Sequence, residues 1–432
     1  MYREKIHELI KWQQSDSRKP LVLLGARQVG KTHLLKSFGN ANYKQVAYIN
    51  FEHPNAPKDL FALDFNHERI ITILNAYCNI KIDAENTLII LDEIQSTKKG
   101  VTSLKYFQEN APEYHIVAAG SLLGVNIHPE ESFPVGKVDF MYLYPMSFNE
   151  FLLAIGEDAL YELFINKDFP SISFFHEKLI NYVRYYLFVG GMPEAVKEFA
   201  NTQDWNATRK IQNQIIQSYR NDFSKHAPHT ELPRINMVWD SLPSQLAKEN
   251  KKFIYGMIRK GARSKDFEIA IQWLTDTGLL HKVYNTSKPS LPLKAYQELS
   301  NFKLFYNDVG LLGAASQLSA KTIVYGNEIF KEFKGAMTEQ FVFQQLLETE
   351  NVNIYYHTFD GSKYELDFLL QDSDDEIIPV EVKSGVNVKS TSLKHFCERN
   401  KPLKAIRFST KGYRKEEWLI NSPLYSVGVV FK

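Results

Sequence analysis

Eight residues, Gly25-Ala26-Arg27-Gln28-Val29-Gly30-Lys31-Thr32, set two glycines, a lysine and a hydroxyl in the spacing G-x-x-x-x-G-K-[ST]. That combination suits one chemistry, the gripping of a triphosphate. The glycines let the backbone wrap tightly around an oxyanion. Successive N–H groups and the start of a helix aim at the phosphates. Lys31 is placed for the β- and γ-phosphates, and the Thr32 hydroxyl for Mg²⁺. The whole run from Gly25 to Thr32 is the expected binding site for ATP.

A second apolar run, Leu88-Ile89-Ile90-Leu91, ends in Asp92 and Glu93. An aspartate at the carboxyl end of a parallel strand would sit beside Thr32 and hold the metal. Glu93 would orient the attacking water as general base. A third run, Ile116-Val117-Ala118-Ala119, leads into Gly120-Ser121. Ser121 reads equally as a sensor of the γ-phosphate or as a plain turn serine.

The C-terminal part carries a second constellation. Glu339 lies on a helix from Gly335 to Glu348, with Phe343, Leu346 and Leu347 on its own apolar face. A carboxylate there needs compensation. In Tyr364-Glu365-Leu366-Asp367-Phe368, alternation puts Glu365 and Asp367 on one face of a strand. In Ile378-Pro379-Val380-Glu381-Val382-Lys383, Glu381 and Lys383 share a side. Glu339, Asp367 and Glu381 suit Mg²⁺, a hard cation. Lys383 would stabilise a pentacovalent phosphate or help activate water, with Asp367, Glu381 and Lys383 in catalytic roles. A metal-dependent nuclease and an inert interaction domain both fit this set.

The elements that must position these groups follow from pattern. Leu21-Val22-Leu23-Leu24 reads as a buried strand entering the loop, and Leu34-Leu35 sit on the helix leaving it. Val46–Phe51 and Val138–Leu143 add two more strands. Residues 1–155 therefore read as an α/β core with a parallel sheet. Ser147-Phe148-Asn149-Glu150 reads as a capping box opening a helix. Residues 156–225 read as a helical segment broken at Gly190-Gly191-Met192-Pro193, either a lid over the nucleotide or a plain interhelical turn.

Within 226–325, helices at Ile235–Leu246, Phe253–Lys260 and Ser264–Thr277 precede a strand at Leu279–Tyr284, the order of a winged helix-turn-helix. Lys248, Lys251, Lys252, Arg259, Lys260, Arg263 and Lys265 concentrate basic charge there. Such a stretch suits either contact with a DNA backbone or a solvated face. Residues 326–432 form the last expected domain.

Bulk composition narrows the classes. The chain has 432 residues, enough for several domains. Net charge is +1, so any DNA contact must come from a local patch. Its two cysteines, Cys78 and Cys397, have no metal spacing, and a reducing cytoplasmic compartment is expected. No apolar run approaches the ~18 residues of a membrane helix, so no membrane partner is expected. A protein partner and an oligomeric assembly remain open.

With both ends read, the chain resembles a family of prokaryotic AAA-type, STAND-related P-loop ATPases with a C-terminal domain of unknown function. The resemblance rests on Gly25–Thr32, Leu91-Asp92-Glu93-Ile94-Gln95, Ala119-Gly120-Ser121, Tyr144–Phe151, Gly190–Glu194 and Pro379–Gly385. It implies an ATPase core, a lid, a winged helix and a small α/β end similar to PD-(D/E)xK nucleases. It also implies Gly-Arg before the last core strand, where this chain has Gly136-Lys137. Lysine keeps the charge and loses the planar fork that clamps a phosphate, so slower turnover is expected.

Overall fold

The structure, a computed structural model, describes residues 1–120, 136–248, 251–325, 331–349, 352–359, 364–385 and 390–431. These form two compact units, Arg3–Tyr144 with Asp276–Gly278, and the remaining residues.

The smaller unit is built on five strands. They are β1 (Leu21–Leu24), β2 (Gln45–Asn50), β3 (Thr87–Asp92), β4 (His115–Ala119) and β5 (Asp139–Tyr142). Their order is β2-β3-β4-β1-β5, and every pairing is parallel. β1 and β3 are buried along their whole length, which explains why they are apolar without alternation. Val22, Ile49, Ile89, Leu91 and Ile116 pack with Ile70, Leu74 and Leu104 of flanking helices into one core. β4 lies between β1 and β3 in register, Leu23 opposite Ala119 and Ala119 opposite Asp92. The loop after β1 and the acid ending β3 therefore share the carboxyl edge of the sheet. This is the parallel α/β sheet expected for a P-loop core.

The larger unit opens with helices. The capping box at Ser147 is present: its hydroxyl accepts the Glu150 N–H at 3.2 Å, and Glu150 accepts the Ser147 N–H at 3.0 Å. Helix His176–Val189 ends at Gly190, and Pro193 starts the next, so Gly190–Pro193 is an interhelical boundary as expected. Helices Leu232–Leu246, Tyr255–Ile258 and Ser264–Asp276 follow. After them come β6 (Leu280–Thr286) and β7 (Gln297–Tyr306), an antiparallel pair.

Six further strands are β8 (Val352–Thr358), β9 (Glu365–Asp372), β10 (Ile377–Lys383), β11 (Ile406–Ser409), β12 (Arg414–Lys415) and β13 (Ile420–Pro423). With β6 and β7 they make one eight-stranded sheet, ordered β12-β13-β11-β10-β9-β8-β6-β7. β6 pairs with β8 in parallel, Tyr284 opposite Tyr355, so the sheet runs through the expected boundary between 325 and 326. Glu339 is carried by helix Lys331–Leu347, which packs on this unit. Among the described residues no helix is long and apolar enough to cross a membrane.

Candidate functional site

The loop after β1 has the conformation its glycines allow. Gly25 has φ +154°, and a side chain there would place its Cβ 2.2 Å from the Leu143 carbonyl oxygen. Gly30 has φ +95° and caps the 12-residue helix Lys31–Asn42. The first-turn N–H groups of that helix have no partner within the helix and face the loop.

Lys31 is only 7% exposed and donates to the carbonyls of Gly25 at 2.8 Å and Ala26 at 3.0 Å. The ammonium thus closes the loop on itself from the inside. Burial pushes its pKa down to about 8, against the pull of Glu93 and Asp92. Thr32 Oγ1 donates to Asp92 Oδ2 at 2.7 Å, and the Tyr48 hydroxyl donates to the same oxygen at 2.9 Å. The hydroxyl and carboxylate expected around a metal are therefore side by side, and both are oxygen ligands suited to Mg²⁺.

Glu93 has φ +50°, a left-handed conformation that a side chain adopts at a cost. Its N–H donates to Asp92 Oδ1 at 3.2 Å, and Gln95 donates to its carboxylate. Burial raises its pKa above the ordinary carboxylate range, against the Gln95 bond and Lys31. A carboxyl group poised upward suits a general base. Arg27 Nη2 lies 3.2 Å from Glu52 Oε1. Lys137 pairs with Glu109 at 3.1 Å. Ser121 lies outside the described residues.

The C-terminal constellation is arranged differently from the expectation. Glu339 is 1% exposed and is held by two lysines, Lys251 and Lys303, the latter at 3.1 Å. Lys303, fully buried, also bonds Glu365 Oε1 at 2.6 Å. Burial would lower the Lys303 pKa, but Glu339, Glu365 and Asp367 together raise it. Asp367 Oδ2 accepts the Val382 N–H at 2.7 Å. Burial, then Glu339 and Glu381, push Asp367 up to about 7.

Glu381 and Lys383 do share a side, paired at 2.5 Å. The four residues are thus neighbours, yet no group of three or more His, Cys, Asp or Glu among the described residues is arranged to hold a metal. Glu339 serves its two lysines instead, because a helix carboxylate in this core needs positive partners. Lys251 is consequently not a surface charge of the basic stretch. Lys248, Arg259, Lys260, Arg263 and Lys265 are exposed, with no ion pair among the described residues.

Sequence reasoning missed Tyr48, Glu52 and Lys303. For Lys303 a signal existed: a lone lysine inside Phe302-Lys303-Leu304-Phe305-Tyr306, where burial demands an acid.

Comparison with known proteins agrees with the smaller unit. Residues 17–152 match a family described as an AAA domain. Residues 180–322 and 334–425 match two families described as domains of unknown function, DUF8612 and DUF4143. No curated protein matches the chain in sequence. Among solved structures, a Walker-type ATPase of Pyrococcus abyssi aligns at 14% identity over 73% of this chain and 95% of its own, with a TM-score of 0.44. The ORC1 protein of Aeropyrum pernix, in complex with DNA, aligns at 11% identity over 73% of this chain and 93% of its own, with a TM-score of 0.29. Likenesses this distant carry no assignment of substrate or partner. The N-terminal region is thus similar to AAA domains over residues 17–152.

Proposed function

We propose that the protein is a Mg²⁺-dependent ATPase that works as a conformational switch coupled to DNA. The observation that carries the ATPase reading is the set of Lys31, Thr32, Asp92 and Glu93 on one sheet edge, with Thr32 and Asp92 joined at 2.7 Å.

In this reading the loop amides and Lys31 bind the triphosphate. Thr32 and Asp92 are the residues that would hold Mg²⁺. Bound there, the ion would neutralise charge building on the phosphate oxygens. Tyr48 orients the Asp92 carboxylate through its hydrogen bond. Glu93 takes the proton of the water that attacks the γ-phosphorus, as the bond to the ADP oxygen breaks.

Coupling to DNA is supported by the exposed basic group of Arg259, Lys260, Arg263 and Lys265, between the short helix Tyr255–Ile258 and the start of helix Ser264–Asp276, ahead of an antiparallel strand pair. Positive side chains without internal partners favour a phosphate backbone. A second reading has a specific support. The lysines on Glu339 and Glu365 favour a C-terminal region that binds a protein partner, or only braces the fold, and does not cleave DNA.

Turnover separates these readings. Glu93→Gln should retain ATP binding and lose hydrolysis by about 100-fold or more, the scale of a general base. DNA should change the turnover of the parent protein, and no nicking should follow with Mg²⁺ or Mn²⁺. Undiminished hydrolysis by Glu93→Gln would remove Glu93 as the base, and undiminished hydrolysis by Lys31→Ala as well would remove the ATPase assignment of this site. Indifference of turnover to DNA, with no DNA affinity at low salt, would leave the scaffold reading.

A further inference from the structure

Arg27 is a charged residue of the phosphate loop that the chemistry above leaves unused. It sits between Gly25 and Gly30, the two glycines whose positive φ values shape the turn. Its side chain is 26% exposed, and Nη2 lies 3.2 Å from Glu52 Oε1. Glu52 follows the end of β2, the strand that also supplies Tyr48 to Asp92.

The pair stands within electrostatic reach of the reacting groups. Arg27 opposes the charge on Lys31, and Glu52 opposes the charge on Glu93. Lys137, the other basic candidate, is engaged with Glu109.

We propose that Arg27 is a catalytic arginine supplied in cis, which leaves Glu52 for the γ-phosphate during hydrolysis. The proposal rests on the ATPase reading above. A partly exposed ion pair between two long side chains is weak and easily exchanged. A terminal phosphate offers more charge than one carboxylate and accepts the planar guanidinium fork in two bonds. In the transition state charge shifts towards the leaving oxygen and is spread over the γ-oxygens, and an arginine placed there stabilises that arrangement beyond the ground state, so the gain falls on the rate more than on ground-state binding. Glu52 then acts as a holding partner that keeps the guanidinium at the rim of the site.

The test compares Arg27→Ala, Arg27→Lys and Glu52→Gln with the parent protein, by calorimetric binding of ATP and ADP and by single-turnover hydrolysis. Arginine fingers are worth about 10³–10⁵ in rate, and a partly exposed one falls below that range. Arg27→Ala should keep ADP affinity within about threefold and lose about 30-fold or more in single-turnover rate. Arg27→Lys should not restore the rate, because a point charge cannot replace the fork. Glu52→Gln should bind ATP about threefold tighter, since no acid competes for the arginine.

A single-turnover rate of Arg27→Ala within threefold of the parent overturns the proposal. So does an equal loss of ATP and ADP affinity, which would mark Arg27 as a brace of the loop. Failure of the parent itself to bind ATP is a separate result, seen before any substitution. It removes the underlying reading and this proposal with it.

Discussion

Lys303→Met tests whether the C-terminal carboxylates are a lysine-neutralised centre. Lys303 is fully buried and bonds both Glu339 and Glu365. Removing one partner of a buried ion pair costs about 3–5 kcal/mol. Here two things soften the loss: Lys251 still holds Glu339, and Glu365 is 18% exposed and reaches water. The expected cost is therefore about 3 kcal/mol, the low end of that range. In a unit of this size that corresponds to a fall in Tm of roughly 5 °C.

Four of the five tryptophans, Trp205, Trp239, Trp273 and Trp418, belong to this unit, so urea unfolding followed by tryptophan fluorescence reads it directly. Adding Glu339→Gln should recover about half of the loss or more, because the buried carboxylate left with one cation in place of two is then gone. The pH dependence carries a sign. Glu339 is held below the ordinary carboxylate range by Lys251 and Lys303, which outweigh its burial. Its contribution is full above the unfolded value of about 4.3 and is lost as pH falls towards the lower folded value. The parent should therefore lose more stability below about pH 4 than the double variant does. A Lys303→Met cost under about 1 kcal/mol, or a double variant as unstable as the sum of the singles, would refute the reasoning.

Three further outcomes are expected. Because burial lowers Lys31 to about 8, the free site loses its ammonium above that pH. ATP affinity measured by calorimetry should be flat below pH 7.5 and then fall, approaching tenfold per unit; a flat profile to pH 9.5 would contradict the assignment. Gly190→Ala should cost more than about 2 kcal/mol in thermal melts, since φ there is +71° and the new Cβ would lie 2.2 Å from Asp308 Oδ1. Asp308 cannot yield easily, because it also accepts the N–H groups of Gly191 at 2.6 Å and Leu311 at 2.9 Å. Replacing Lys260 and Arg263 by alanine should weaken DNA binding at all sequences and reduce the log–log salt slope by about 1 per charge, while an unchanged slope would remove this segment from the interface.

The nucleotide edge was legible in the chain because its signals are local. Gly25, Gly30, Lys31 and Thr32 lie within one turn, and Asp92 ends an apolar run that only a buried strand explains. The Ser147–Glu150 cap was legible for the same reason, three residues apart. Glu339 shows where locality ends. Its cost of burial was readable from the helix face, but its partners lie 88 and 36 residues away, at Lys251 and Lys303. Periodicity says that a carboxylate is inside and cannot say which cation meets it. The same limit hid the pairing of β6 with β8, a parallel match across some 70 residues of chain. Tyr48 was missed because the pairing of β2 with β3, which brings its hydroxyl to Asp92, cannot be read from its own strand.

An ATPase role for this chain requires that the loop from Gly25 to Thr32 grip a triphosphate. Titration calorimetry of the full chain with ATP, at millimolar Mg²⁺ and pH 7, measures this directly. One saturable site per chain, weakened at least about tenfold in Lys31→Ala, is the predicted result. No binding heat at 1–2 temperatures, from protein that still melts cooperatively, would contradict it.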